Sequence, residues 1–98
     1  MEVKFEDASL QRLERDPSYT AGFDAAIVKA FRKRMQMIRA AIDERTFHAM
    51  KSLHYEKLKG DREGQRSMRL NDQWRLILRI DTDDTGKLVA IISITDYH

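Results

Sequence analysis

"NDQWRLILRIDTDDTGKLVAIISITDYH", residues 71–98, decides the fold. Asn71, Asp72 and Gln73 form a turn signal. Behind them Trp74, Leu76, Leu78 and Ile80 alternate with Arg75, Ile77, Arg79 and Asp81, the period of two that marks a half-buried strand. "DTDDTGK" (81–87) reads as a loose hairpin loop, and residues 88–95 as a further strand rich in β-branched side chains. Just upstream, Met68 and Leu70 alternate with Ser67 and Arg69, so a third strand stands ready to pair.

Before "LKGD" (58–61) the period is helical. Phe23, Ile27, Ala30, Phe31, Met35, Ile38 and Ile42 recur at three- and four-residue steps, which predicts one wide apolar stripe on a long helix from about Ala21. Arg32, Gln36, Arg39 and Asp43 fall on its opposite face. Nearer the start, "VKF" (3–5) is a short edge-strand candidate, and Asp7 can cap a helix that buries Leu10 and Leu13. Asp16-Pro17-Ser18 ends that helix, because proline removes a donor and restricts the residue before it. Phe47, Met50 and Leu53 suggest one more helical turn. The expected order is β-α-α-β-β-β, an α+β fold with two helices packed on one face of a small, largely antiparallel sheet. Without repeats or linkers, residues 1–98 read as a single domain.

Composition narrows the function. Cysteine is absent, so disulfides and thiolate metal sites are excluded, which fits a reducing cytoplasm. No apolar run approaches the roughly 18 residues of a membrane span, and no signal-peptide pattern opens the chain. Net charge is only +2 but unevenly spread. Residues 1–24 carry three basic and six acidic side chains, and residues 80–98 one and four. Residues 25–44 carry five and two, and residues 45–79 nine and four. A basic middle between acidic ends suits a polyanionic partner, whose phosphates it can neutralise.

Several residues can carry chemistry. Arg75 and Arg79 share the strand face opposite Trp74, Leu76 and Leu78, where Arg69, Ser93, Thr95 and Tyr97 can join them from neighbouring strands. Guanidinium forks match phosphate oxygens. The plainer reading is a solvated sheet face with salt bridges to Asp81 or Asp83. Lys57, Lys59 and Arg62 surround Gly60, whose missing side chain lets a phosphate backbone approach. At the end of the chain, strict alternation puts Tyr97 with Thr95 and Ser93, whereas Asp96 and His98 face away. All three reach one site only if the backbone bends near Asp96. Histidine can exchange a proton near neutral pH. No H-x-x-x-H or similar spacing supports a metal site, so no metal and no cofactor are expected.

The segment "LKGDREGQRSMRLNDQWRLILRI" (58–80) with the closing "DYH" (96–98) resembles the HigB branch of the RelE/ParE superfamily, toxins of bacterial type II toxin–antitoxin pairs. The likeness spans nearly the whole chain. It lies in the L-K-G-D-R-x-G turn, the S-x-R-x-N-x-Q-W-R-L strand pair and the D-Y-H end, in that order. It implies a compact sheet with helices on one side and a ribosome-dependent mRNA endonuclease acting in the A site. The resemblance also implies that the RNA 2′-hydroxyl is the nucleophile and that no metal takes part. Carried over, Asp96, Tyr97 and His98 become the catalytic tail, Lys59 a charge-holding lysine and Arg75 a phosphate contact. Relatives often carry proline or histidine before the turn. Here "KSLHYEKLKG" (51–60) has Glu56 at the position of that histidine and His54 two residues earlier, which makes His54 a further candidate. A HigA-type antitoxin with a helix-turn-helix domain is the implied partner, besides the ribosome with its mRNA and ribosomal RNA. DNA contact would come only through the antitoxin. Two alternatives stay open: a ParE-like inhibitor of DNA gyrase, and a toxin fold that binds ribosomal components without cutting.

Overall fold

Aspartates set where the helices begin. In the computed structural model, which describes residues 1–96, the Asp7 carboxylate accepts the Ser9 N–H at 2.8 Å and starts α1 (Ala8–Arg15). Asp24 accepts the Ile27 N–H at 3.0 Å and starts α2 (Ala25–Ala40). The long helix therefore begins later than its apolar pattern suggests. Ala21 and Gly22 run through the left-handed region at φ 53° and 82°, so the chain turns before it coils. At the other end α2 stops at Ala40, and Ile42, which continues the period of the stripe, is 90% exposed. The anticipated extra turn is a short helix, α3 (Arg45–Ala49), followed by a 3₁₀ turn at Lys51–Leu53.

Five strands form one sheet: β1 (Glu2–Phe5), β2 (Glu56–Lys57), β3 (Gln65–Arg69), β4 (Trp74–Asp83) and β5 (Gly86–Asp96). Their order is β1-β5-β4-β3-β2. β1 runs parallel to β5, and the other neighbours are antiparallel. Two features differ from the expectation. β2 is an extra edge strand of two exposed residues, and the loop read over 81–87 is mostly ladder, since Asp83 still pairs with Gly86.

Phe31, Met35 and Ile38 of α2 and Leu10 and Leu13 of α1 pack with Leu76, Leu78, Val89 and Ile91 in one core. Trp74 closes it at one end, its ring edge-on to Phe23 at 5.7 Å between centroids. Arg32 does not simply face water. Its Nε donates to the Leu13 carbonyl at 3.0 Å, and Nη2 to Asp16 and Tyr19 carbonyls at 2.9 and 3.0 Å, which fastens the end of α1 to α2. Arg39 similarly reaches Glu14 on α1, at 2.6 Å.

Candidate functional site

The face of the sheet away from α1 and α2 is assembled by register. Arg69 lies opposite Arg75, and Arg75 opposite Thr95; one step along, Ser67 faces Ile77 and Ile77 faces Ser93. A bulge makes this alignment possible. Ile77 pairs with Ser93 but Leu78 pairs with Ile91, so Ile92 is an extra residue in β5. Strict alternation from Val89 and Ile91 would have carried Ser93 and Thr95 to the core side. With the extra residue, Ile94 packs against the core and Thr95 stands beside Arg75.

The salt bridge of the plainer reading does form, between Arg79 and Asp81, but the centre of this face is not solvated. Ile77 is fully buried yet does not belong to the core beneath the helices, and Ser67 beside it is also fully buried. An apolar centre therefore lies between Arg75 and Arg79, where it can exclude water from an ion pair formed above it. At one end of the face, Arg69 pairs with Asp72, while its carbonyl accepts a 3.0 Å bond from Nε of Arg34 on α2. Burial, and then the Arg69 charge, hold the Arg34 pKa below its usual value. Arg34 is thus a third guanidinium near this end. Nothing in the helical period of "FRKRMQ" singles it out.

Arg79 is set apart from that group. Its Nε meets Asp81 Oδ1 at 2.6 Å, and its Nη2 pairs with Glu6. Lys4 Nζ lies 2.8 Å from the other oxygen of Asp81. The hydrogen bonds from Arg79, and then from Lys4, drive the Asp81 pKa far below the ordinary carboxylate value.

Asp96 sits opposite Trp74 and accepts a 2.9 Å hydrogen bond from Gln73 Nε2, one register position from the Arg75–Thr95 pair. Tyr97 and His98, the rest of the expected tail, lie outside the described residues. Lys57, Lys59 and Arg62 are exposed, and among the described residues none of them meets a carboxylate. Lys57, Lys59, Gly60, Gly64 and Arg66 contribute to a cleft of about 520 Å³. Gly60 enters it at φ 71°, in the region that favours glycine. His54 is exposed on the α3–β2 connection, with a left-handed backbone at φ 47°. Among the described residues no hydrogen bond or ion pair ties it to the arginine face. Nor do three His, Asp or Glu side chains among them gather to hold a metal ion.

Residues 3–98 match the family model described as RelE-like toxin of type II toxin-antitoxin system HigB. The chain belongs to the HigB-like toxin family. Among solved structures, this HigB-like toxin is similar to a YoeB/ParE toxin from Agrobacterium tumefaciens, at 17% identity and a TM-score of 0.63 over 100% of both chains. A YoeB–YefM complex from Staphylococcus aureus gives 22% identity and a TM-score of 0.57, covering 100% of this chain and 97% of the other. YafQ from E. coli strain BL21(DE3) gives 12% and 0.59, over 98% of this chain and 92% of the other. At these identities the solved structures show the fold: the HigB-like chain has the RelE/YoeB-type α+β architecture. Among curated proteins, none matches the sequence. No helix of the described residues is long and apolar enough to cross a membrane.

Proposed function

We propose that this HigB-like toxin is a ribosome-dependent endoribonuclease that cuts mRNA in the A site. One observation carries the reading: Arg69 and Arg75 stand directly opposite one another on the open sheet face, with Thr95 beside Arg75 and Asp96 one position on. Two guanidiniums brought side by side offer their donor forks to the oxygens of one phosphodiester.

The reaction needs a base, a cationic cradle and an acid. The 2′-oxygen bonds to phosphorus as its proton passes to the base, and the phosphorus–O5′ bond breaks as O5′ takes a proton from the acid. Arg75 and Lys59 hold the charge that gathers on the phosphoryl oxygens, with Arg69, Arg62 and Lys57 along the approach. Asp96, Tyr97 and His98 are the proton-transfer tail in this reading, and His54 is its outlying member. The chemistry asks for no metal ion and no cofactor. In the same reading the toxin works in the cytoplasm as one domain, and a HigA-type, helix-turn-helix antitoxin neutralises it. The Staphylococcus aureus YoeB–YefM toxin–antitoxin complexes among the neighbours support an antitoxin partner, though not its type.

The test is primer extension on mRNA in a translating extract, for wild type, Arg75→Ala and His98→Ala. Discrete, translation-dependent cuts by wild type are expected, and loss of Arg75 should slow them by roughly 10²-fold, as for one transition-state donor. Arrested translation on an intact message, or normal cutting by His98→Ala, would remove the catalytic tail and favour a toxin that acts by binding.

A further inference from the structure

Glu44 occupies the cap position of α3, yet its carboxylate makes no capping bond. Instead Oε2 accepts the Tyr55 hydroxyl at 2.7 Å and lies 3.6 Å from Arg66 Nε and 3.9 Å from His48 Nε2. The Tyr55 ring stands edge-on to buried Phe47, at 5.4 Å between centroids, and to His48 at 4.9 Å. Burial, and then the Glu44 carboxylate, push the phenol pKa well above its usual value, so it stays protonated and keeps donating.

Tyr55 and Arg66 lie at the two ends of one hairpin. Tyr55 precedes β2, and Arg66 pairs in register with Lys57. Arg66 Nη1 also donates to the Gly64 and Gln65 carbonyls, at 3.3 and 3.4 Å. Between them run Lys57, Lys59 and Gly60. A ladder as short as β2 is marginal on its own, so something else must hold these lysines in place.

We infer that Glu44, through Tyr55 and Arg66, positions the lysine-bearing hairpin of residues 55–66 for contact with RNA phosphates. The three are positioning residues: one carboxylate gathers both ends of the hairpin against α3. This inference rests on the endoribonuclease reading above for what the hairpin touches, but the pinning itself is read from contacts within the chain.

The experiment uses purified toxin and ribosomes programmed with a message. Binding is measured at several salt concentrations for wild type, Lys59→Ala, Tyr55→Phe and the double variant. In parallel, hydrogen exchange is followed at the Leu58 amide, which bonds the Gln65 carbonyl at 3.0 Å and so reports hairpin closure. Losing one hydrogen bond should weaken Tyr55→Phe binding about fivefold. It should also speed exchange at Leu58 while leaving the β4 and β5 amides protected. The two losses should be non-additive, because an unpinned Lys59 has less to lose. Glu44→Gln, which keeps an acceptor for Tyr55 but gives up the charge facing Arg66, should fall between wild type and Tyr55→Phe. Unchanged Leu58 exchange in Tyr55→Phe, or strictly additive losses, would overturn the positioning role. Failure of the functional reading looks different: Lys59→Ala would bind as wild type, while Tyr55→Phe still opened the hairpin.

Discussion

Asp81 is held between two cations from different strands, Arg79 on its own strand and Lys4 on β1. Because its carboxyl titrates below the ordinary 3.8, the folded state gains stability from its charge. That gain is complete above 3.8 and is lost as pH falls from there toward the depressed native value. Asp81→Asn should therefore melt lower than wild type at pH 7, by an amount near the ~1 kcal/mol of a partly exposed ion pair. The two melting curves should converge as the buffer is taken below pH 3.8, and a constant gap would show the effect is not the charge. The same contacts explain why Arg79 lies apart from the arginines one expects it to join. Its partner Glu6 lies 73 residues away in sequence, beyond the reach of any local pattern. Arg69 and Arg75 were legible because a period of two puts such residues on one face, and pairing brings them opposite.

α2 is started by a single side chain. Asp24→Ala removes the acceptor for the Ile27 N–H and should cost about 1 kcal/mol in urea unfolding, with cleavage by the folded protein unchanged. Phe31→Ala, at the fully buried middle of the same helix, should cost about 3–5 kcal/mol. Calorimetry would rank the two. Elements with one buried face were readable from the sequence: α2 by its stripe, and β4 by Trp74, Leu76, Leu78 and Ile80. Elements without such contrast were not. β2 exposes both its residues, so it carries no apolar signal. In β5, Leu88, Val89, Ala90 and Ile91 are all buried, which erases the alternation that would have betrayed the bulge at Ile92. The left-handed turn at Ala21 likewise leaves no mark on the apolar stripe that follows it.

For the molecule as a whole, the basic middle of the chain puts Lys57, Lys59 and Arg62 at the β2–β3 turn, Arg69 on β3 and Arg75 on β4. If these five cations each meet one phosphate of a single strand, a slope of about 0.7 each predicts roughly 130-fold weaker binding when salt rises from about 50 to about 200 mM. Titration of programmed ribosomes at these two concentrations measures it, and a flat response would exclude phosphate contact as the main attraction. The sheet order has another consequence. β1 has one neighbour, β5, and Glu2 meets Leu88. During synthesis the first strand thus waits for nearly the last, and the apolar stripe of α2 emerges before β4 and β5 exist to cover it. Loops of that length close slowly. The alignment of Arg69, Arg75 and Thr95 is thus one of the last features a growing chain can assemble, since it exists only once β5 has paired with β4.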